Sequence, residues 1–422
     1  MAWSNWAGDQ RCSPAARVEP SSEEELVAAL GGASRARVAG SGHSFSEIAL
    51  TDGLQISMKR FDRVLDSDSS SGLVRVQGGI RLHELGIELA RRGLAMENLG
   101  DVDAQTLAGA LATGTHGTGV GFGNLSSRVT AMRLVTGDGP VELSEDDELR
   151  AARVSIGALG VATEMSLRCQ PLYTLRRTDE RKPLGETLDR LEELAAERER
   201  FELFAFPYSR WALWRTTEQT DDKPSPPSRI ESFLSDVVLE NGVFGLFCMV
   251  GRAFHGLIPP IDRLLGRLAG GSTRVDRSAR IYANPRLVHF TEMEYALPRA
   301  AGAEAVRSVF ELVERERLPV LFPLEVRFGA PDDAFLSPGG GRDSCYIAVH
   351  MYRGMDYEPY FRAVEDIMRS HDGRPHWGKR HFRTAAELSG LYPDWGRFQV
   401  VRDRLDPRRV FSNDYTDRVL GR

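Results

Sequence analysis

Two glycine-rich stretches and one charged pair are the parts of this sequence best suited to chemistry. His43 lies in the first stretch, GSGHSF at 40–45, where glycine lets the backbone turn and approach a ligand closely. The second stretch covers 107–123 and contains His116. Successive N–H groups in such loops form concave anion sites, and small side chains let a pyrophosphate approach. Either stretch alone is equally typical of turns, and neither has the Walker or Rossmann pattern, but two together favour an extended dinucleotide.

The charged pair is Glu325 and Arg327 in FPLEVRF. The alternation predicts a strand with both side chains on one face and the apolar side chains on the other. If this pair is buried, both side chains need polar partners. An edge strand whose ion pair is exposed to solvent explains the same pattern equally well. Lys379 in HWGK and His350 on the alternating segment YIAVHMY are further candidates, and His376 is equally compatible with a structural role.

The elements that would position these residues are short strands and helices that alternate over the first part of the chain. PSSEEELVAAL begins with a serine cap, and RLHELGIELARRG is amphipathic and ends at Gly93, so both predict helices. Asp138-Gly139 predicts a hairpin turn. Pro171 marks a first boundary, and a different mixture of helices and strands follows. TDDKPSPPSRIES at 220–232 predicts an exposed, mobile loop.

The composition is that of an ordinary globular protein, with 41% hydrophobic and 27% charged residues. A formal net charge of −6 and a pI near 5.9 argue against nucleic acid or an acidic membrane surface as a partner. The four cysteines form no CxxC pair, so we predict neither a disulfide framework nor a metal site. No signal peptide or membrane-spanning run is recognisable, and we expect a cytoplasmic protein without a membrane anchor.

Seven motifs in collinear order resemble those of the sugar-1,4-lactone oxidases and dehydrogenases, of the L-gulono-1,4-lactone oxidase/dehydrogenase type and its bacterial branch. They are GSGHSF, NLGDVDAQTLAGALATGTHGTG, SIGALGVATEMSL, EMEYALP, FPLEVRF, LSP with RDSCY, and RPHWGK with LYP and RDRLDP. The resemblance covers essentially the whole chain and implies the vanillyl-alcohol-oxidase flavoprotein superfamily.

The fold implied by this resemblance is α+β. It comprises a two-subdomain FAD-binding domain (PCMH-type) at 1–172 and a mixed α/β substrate (cap) domain at 173–375, whose antiparallel sheet is flanked by helices. A C-terminal segment, 376–422, is expected to return to the flavin site.

The cofactor implied is FAD, with its pyrophosphate between the two glycine-rich stretches. A histidine at the place of His43 often carries an 8α-linked covalent flavin in this superfamily, so we expect His43 to be joined to the isoalloxazine ring. His116 is expected to help shape the same wall. The positions that match FAD-lining residues are Val38, Ala39, Gly40, Ser41, Gly42, His43, Ser44, Asp101, Thr106, Gly109, Ala110, Leu111, Ala112, Gly114 and Val161.

For the substrate end, the resemblance implies that Arg327 and Lys379 stabilise negative charge and that Glu325 orients hydroxyl groups. His350 matches a pocket-lining position of the alditol oxidases, and we expect it to bind substrate.

Two neighbouring positions concern the flavin's other reactions. Gly100 lies where relatives carry the residue that controls access of O2, and a glycine there favours oxidase behaviour. Asp101 departs from the family pattern, which has a small residue or a serine at this place. We expect its carboxylate to bind a sugar hydroxyl or to alter the local potential of the flavin.

The reaction implied is oxidation of the C2 hydroxyl of an aldono-1,4-lactone, with hydride transfer to flavin N5 and reoxidation by O2 or another acceptor. From L-gulono-1,4-lactone the 2-keto product would tautomerise to ascorbate. One alternative is an alditol oxidase acting on xylitol or sorbitol, which shares several of these motifs. Another is a flavin-binding protein without turnover, against which Glu325, Arg327 and Lys379 together argue.

Overall fold

The computed structural model describes residues 2–144, 146–226, 242–284 and 286–422. In its N-terminal part the strands are β1 (Trp3–Ser4), β2 (Arg11–Cys12), β3 (Ala16–Val18), β4 (Ala36–Val38), β5 (Leu54–Ile56), β6 (Val64–Asp68), β7 (Leu73–Gln77), β8 (Leu94–Ala95), β9 (Val129–Thr136), β10 (Gly139–Ser144) and β11 (Val161–Arg168). The helices there are α1 (Glu23–Gly31), α2 (Leu82–Arg91), α3 (Leu107–Ala112) and α4 (Asp147–Arg153).

Two sheets organise this part. The strands β3, β5 and β4 form a small parallel sheet, and an antiparallel sheet has the order β10-β9-β11-β7-β6. The predicted local signals are present. Ser22 caps α1 by accepting a hydrogen bond from the Glu25 amide, Gly93 follows α2 with φ +73°, and Gly139, with φ +121°, makes the turn between β9 and β10.

The C-terminal part is built on one large antiparallel sheet. Its strands are β12 (Gln170–Pro171), β13 (Thr174–Pro183), β14 (Arg200–Ala205), β15 (Trp211–Thr220), β16 (Ser272–Arg277), β17 (Phe290–Pro298), β18 (Leu324–Gly329), β19 (Ser344–Tyr352) and β20 (Arg374–Pro375). Apart from β12, which pairs with β8, they lie in the order β16-β13-β15-β14-β18-β19-β17-β20. The strand carrying Glu325 and Arg327 is therefore in the interior of the sheet, which excludes the edge-strand interpretation.

Helices pack against this sheet and between the two parts. They are α5 (Leu184–Asp189), α6 (Leu191–Glu197), α7 (Phe244–Ala253), α8 (Ile258–Leu268), α9 (Ser278–Tyr282), α10 (Gly302–Glu316), α11 (Glu358–Ser370), α12 (Ala385–Leu388), α13 (Trp395–Leu405) and α14 (Asp414–Leu420). The amphipathic helices α10 and α11 bury apolar faces in a core shared with β14, β17, β18 and β19. A separate core joins α2, α3 and α4 to the five-stranded sheet.

The last segment of the chain returns to the N-terminal part. The Val410 carbonyl accepts a hydrogen bond from the Ala36 amide at 2.7 Å, and the Gly378 carbonyl accepts one from the Phe45 amide at 2.7 Å. The position of the domain boundaries stays a prediction. Residues 221–226 of the predicted loop are exposed, and 227–232 lie outside the described residues. Within the described ranges, no helix is both long and apolar enough to cross a bilayer.

Candidate active site

The first glycine-rich loop leaves the small parallel sheet directly after β4. The Ala39 amide continues the pairing by donating to the Ile56 carbonyl at 2.9 Å, and the chain then turns at Gly42, where φ is +73°. A Cβ atom on Gly40 would lie 2.5 Å from Oγ1 of Thr106, at the start of the second loop. Glycine is therefore required where the two loops approach each other.

The second loop contains the short helix α3 and then docks on the large sheet. The Gly119 amide donates to the Phe328 carbonyl at 2.9 Å, and the Thr118 hydroxyl donates to the Phe201 carbonyl at 2.6 Å. These bonds attach the loop to β18 and β14, so the glycine-rich wall and the charged strand become parts of one site.

A cleft of about 1070 Å³ separates the two loops and continues along residues 155–162. Of the predicted FAD-lining residues, the structure places these on its wall: Val38, Gly40, Ser41, Gly42, His43, Ser44, Thr106, Gly109, Ala112 and Val161. Ala39, Ala110, Leu111 and Gly114 do not line it. In α3 the side of Ala110 and Leu111 is buried in the apolar core, whereas Ala108, Gly109 and Ala112 face the cleft, as the helical period requires.

The cleft fits an extended dinucleotide such as FAD. Part of its wall is glycine and serine of residues 40–44, so backbone N–H groups can approach a pyrophosphate, and other parts are lined by apolar side chains such as Met132, Leu134 and Ile156. Arg37 also lines it, but its guanidinium donates to four carbonyl oxygens, those of Ile48, Ile156, Gly157 and Phe411, at 2.7–3.1 Å. Arg37 therefore has a structural role, because it joins several segments of the backbone, and the sequence analysis did not identify it.

A second cavity of about 650 Å³ adjoins the cleft and shares His43, Ser44, Gln105 and Thr113 with it. Its charged lining is Asp101, Arg286, Glu292, Glu294, Arg327 and Lys379. Gly100 and His116 also line this cavity, so His116 and Asp101 belong to its wall and not to that of the cleft. The two cavities meet at His43.

Two strands of the large sheet, β17 and β18, supply three of these six charges: Glu292, Glu294 and Arg327. Register pairs Glu292 with His350 on β19 and pairs Ala348 with both Glu294 and Glu325. Residues paired directly across antiparallel strands point to the same side. Glu294, Ala348 and Glu325 therefore lie in one row on the same face of the sheet.

Arg327 is surrounded by carboxylates. It forms an ion pair with Glu325 on its own strand, and its Nη2 and Nε lie 3.5 Å from Asp101 and 3.6 Å from Glu202. Burial alone would lower the pKa of Arg327, but these carboxylates raise it well above the ordinary value. Burial and the charge of Asp101 raise the pKa of Glu325, although Arg327 opposes the change. Glu325 does not line the cavity. It lies behind Arg327 and orients the guanidinium.

Asp101 is held by two guanidiniums, because Arg286 also forms an ion pair with it. Burial would raise the pKa of Asp101, but Arg286 and Arg327 together hold it well below its usual range. The carboxylate is therefore ionised and fixed in the cavity wall. Sequence reasoning missed Arg286, which lies just before β17 and has no alternating pattern around it.

Lys379 is paired with Glu292. Its Nζ lies 2.5 Å from Oε2 of Glu292, and Oε1 of the same carboxylate lies 3.6 Å from Nε2 of His350. His350 does not line the cavity, contrary to the expectation that it binds substrate. It packs between Phe290 and Phe322, behind Glu292.

His116, Glu294 and His376 form a buried cluster whose ligand-type atoms lie within 4.8 Å of one another. Nδ1 of His116 donates to the Gly117 carbonyl at 2.8 Å, and its Nε2 lies 3.1 Å from Oε1 of Glu294. The Gly378 amide donates to Nδ1 of His376 at 3.1 Å. Because Nδ1 of His376 accepts this bond, the neutral ring carries its hydrogen on Nε2. A nitrogen that carries a hydrogen has no lone pair for a metal ion, so this arrangement does not suit a metal site. Burial lowers the pKa of His376 to about 3, so the ring is neutral.

His43 stands at the junction of cleft and cavity. Its ring stacks on Trp6 with centroids 5.6 Å apart, and Trp6 stacks on His289 at 4.6 Å. Burial and the positive charge of Lys379 lower the pKa of His43 to about 4, so its imidazole is neutral at pH 7. A neutral imidazole has a free lone pair for reaction or ligation.

Sequence reasoning missed Glu292 and Glu294 as site residues, although a usable signal was present. FTEMEYALP has the same charged-x-charged alternation as FPLEVRF, and a strand with two acids on one face needs buried cations or solvent. Trp6 carried no such signal, because its contact with His43 joins segments that the sequence does not pair.

Comparison with known proteins agrees with this geometry. Residues 165–419 match the family model described as D-arabinono-1,4-lactone oxidase, and residues 14–144 match an FAD binding domain. The chain is 53% identical over 424 residues to an L-gulono-1,4-lactone dehydrogenase of Mycobacterium tuberculosis, covering 99% of both chains. It is 34% identical to an L-gulonolactone oxidase of Bos taurus, covering 100% of this chain and 98% of that one.

The fold is similar to that of the cholesterol oxidase from B. sterolicum, with a TM-score of 0.83 at 18% identity over 99% of this chain and 96% of that chain. The predicted α+β fold and the predicted family are both confirmed. The chain belongs to the D-arabinono-1,4-lactone oxidase family and contains an FAD binding domain, which residues 14–144 match.

Proposed function

We propose that this protein is an FAD-dependent oxidoreductase that oxidises the C2 hydroxyl of an aldono-1,4-lactone of the L-gulono-1,4-lactone type. The observation that carries the proposal is the second cavity, which brings fixed charges of both signs up to the dinucleotide cleft at His43. The full-length similarity to an L-gulono-1,4-lactone dehydrogenase and an L-gulonolactone oxidase supports the same substrate class.

FAD, when bound, supplies the hydride acceptor at N5. The glycine loops would hold its pyrophosphate, and His43 would carry the covalent bond to the isoalloxazine ring. Three features of His43 support this bond: its place where the cleft meets the cavity, its neutral imidazole, and the stacking of Trp6, which fixes the ring plane.

The cavity suits a neutral, polyhydroxylated substrate. Asp101, Glu292 and Glu294 present ionised carboxylates that accept hydrogen bonds from hydroxyl groups. Arg327 and Lys379 present donors to the same space. The three carboxylates are balanced by three cations of the same wall, Arg286, Arg327 and Lys379, so the cavity suits the closed, neutral lactone.

Two cations in the cavity wall, Arg327 and Lys379, are placed to stabilise negative charge that develops during oxidation. Both are fixed by carboxylates before substrate arrives, so little reorganisation is needed at the moment of reaction. Oxidation of a carbinol releases a hydride from carbon and a proton from oxygen, and the ionised carboxylates of the wall can accept the hydrogen bond of that hydroxyl.

The electron acceptor is proposed to be O2 or another oxidant that reaches the flavin. Gly100 lines the cavity next to Asp101. A Cβ atom at Gly100 would lie 3.0 Å from the His116 carbonyl oxygen, so the glycine allows two segments of the cavity wall to approach closely.

The test is anaerobic mixing of the purified holoenzyme with L-gulono-1,4-lactone while the flavin absorbance is followed. We expect the lactone to bleach the flavin and xylitol to do so much more slowly. Faster bleaching by xylitol would identify an alditol oxidase instead. A flavin that neither compound reduces would favour a flavin-binding protein without turnover.

A further inference from the structure

Glu292 lies between His350 and Lys379, and its contact with Lys379 affects the charge of that side chain in the cavity. Glu292 and Glu294 lie two residues apart on β17 and point to the same face of the sheet. Each takes a different partner, since Glu292 meets Lys379 and Glu294 meets His116. The two glutamates therefore have separate tasks.

We propose that Glu292 is a positioning residue that holds the Lys379 side chain in place and keeps its ammonium charged. Lys379 touches the reacting end of the cavity, and Glu292 acts through it. This inference rests on the proposed function only where catalytic rate is concerned. The pairing itself is a property of the protein without substrate.

Backbone geometry supports the assignment. Residues 376–380 run beside β17, where the His376 amide donates to the Glu294 carbonyl and the Arg380 amide donates to the Glu292 carbonyl, each at 2.9 Å. These backbone bonds place Lys379 next to Glu292 independently of the conformation of the Lys379 side chain. The side-chain contact of 2.5 Å then selects one orientation of a flexible four-carbon chain.

The other carboxylate oxygen of Glu292 faces the ring of His350. Nδ1 of His350 lies 3.2 Å from the Pro323 carbonyl, which can only accept, so this nitrogen carries a hydrogen. The other nitrogen, Nε2, faces Oε1 of Glu292 at 3.6 Å. This distance is beyond that of a hydrogen bond, so the ring of His350 packs beside the carboxylate, and Lys379 is the cation that holds Glu292.

The contact with Glu292 keeps Lys379 charged in a buried position. Burial disfavours the charged form of a lysine, yet the pKa of Lys379 is raised, because Glu292 and then Glu294 and Asp101 outweigh burial. Lys379 in turn, together with His350, lowers the pKa of Glu292 to about 2 against the effect of burial. Two further groups face Lys379, the rings of His43 and His376, and both are neutral at pH 7. Without Glu292, the ammonium would keep the burial penalty and lose its largest compensating charge.

The experiment measures the charge of Lys379 directly in the holoenzyme. A small acylating reagent, acetic anhydride, modifies a neutral amine and not an ammonium, and mass spectrometry of peptides gives the pH midpoint of modification at Lys379. Lys59, which is exposed, serves as the reference within each sample. The variants are Glu292→Gln and, as matched control on the same strand, Glu294→Gln.

We expect the wild-type midpoint of Lys379 to lie above that of Lys59 and the Glu292→Gln midpoint to lie below it. The shift in Glu294→Gln should be smaller, because the 2.5 Å contact remains. A midpoint shift of one pH unit makes Lys379 about tenfold more reactive at a fixed pH below both midpoints. The alkaline limb of lactone-driven flavin reduction should move by the same amount.

An unchanged midpoint in Glu292→Gln would overturn the proposal, and so would equal shifts in the two variants. Retained flavin and an unchanged thermal unfolding transition establish that the variant is folded, and Glu292→Asp, which keeps the charge, should restore the wild-type midpoint. If lactone fails to reduce the wild-type flavin, the proposed function fails while the labelling result still decides the role of Glu292.

Discussion

Nη2 of Arg327 lies 3.5 Å from Oδ1 of Asp101, joining the interior strand of the large sheet to the segment that follows the first helices. Asp101 is also paired with Arg286, so one carboxylate is shared by two guanidiniums. This contact ties the FAD-binding part of the chain to the charged sheet across the cavity. It also explains how an acid can lie beside the proposed flavin site and remain ionised.

Replacing Arg327 should abolish most of the lactone chemistry. In Arg327→Ala the carboxylates of Asp101, Glu202 and Glu325 lose a shared partner, and the cavity loses a preorganised cation. We expect the rate of flavin reduction by lactone to fall about 10²- to 10³-fold, the usual effect of losing one such donor. Stopped-flow absorbance measures it. Arg307→Ala, at a surface pair with Asp189, should leave the rate unchanged, and an equal loss there would contradict the argument.

His43 should be the attachment point of the flavin. After denaturation in acid, yellow colour should stay with the wild-type polypeptide and leave the His43→Ala polypeptide. Among the residues that the structure describes, His43 is the histidine that lines both cleft and cavity, and its ring is neutral. His83→Ala is the control, since His83 is exposed and paired with Asp103. Flavin that washes off the wild-type protein would show that His43 contacts the ring without a bond.

Enlarging Gly100 should separate the two half-reactions. In Gly100→Ala the new Cβ meets the His116 carbonyl oxygen at 3.0 Å, a distance at which the wall must shift. We expect reoxidation of the reduced flavin by O2 to slow more than its reduction by lactone does. Rapid mixing of reduced enzyme with aerated buffer measures the first rate. If both rates fall together, Gly100 shapes the substrate cavity and does not govern oxygen.

Asp262 should lower the stability of the protein at neutral pH. It is fully buried in α8, and within the described ranges neither carboxylate oxygen has a hydrogen-bond partner that satisfies ordinary geometry. Burial raises its pKa to about 9. The folded state therefore binds a proton that the unfolded state has released once the pH exceeds the ordinary carboxyl pKa near 4, and the free energy of unfolding falls as pH rises towards 9.

The matching variant is Asp262→Asn, which removes the proton uptake at nearly constant volume. We expect it to raise the free energy of unfolding by about 1–3 kcal/mol at pH 8, within the range for a buried uncompensated polar group. Thermal unfolding at pH 8 and pH 4 measures the difference, which should shrink at pH 4, where wild-type Asp262 is protonated in the folded state at no cost. Equal effects at both pH values would contradict the proton-uptake argument.

Local sequence signals placed several site elements well. Alternation in FPLEVRF put Glu325 and Arg327 on one face of a strand, and the structure has them there, in contact. The glycines of 40–42 indicated that the backbone approaches another segment closely. In the structure a Cβ atom on Gly40 would lie only 2.5 Å from Oγ1 of Thr106, so the two loops do approach closely there. Both signals arise from backbone geometry over a few residues, so a single sequence carries them.

Other assignments needed the folded chain. Ala110 and Leu111 lie in the glycine-rich stretch but face the core, because a helix turns only part of its surface towards the cleft. His350 lies on a cavity-facing strand but is covered by Glu292, whose own position depends on how β17 pairs with β19. A motif match assigns all residues of a stretch to the same site. The folded chain exposes some of those residues to the cleft and buries others in the core.

The sequence by itself determined the family, the fold class and the two stretches that meet at the flavin site, since these depend on local patterns and on collinear motifs. Only the tertiary structure decided which charges are paired: Lys379 with Glu292, Arg327 with Asp101, and His116 with Glu294. Each pair joins residues far apart in the chain. Their charge states depend on burial and on distances of a few ångströms, which exist only after the sheet and loops have packed together.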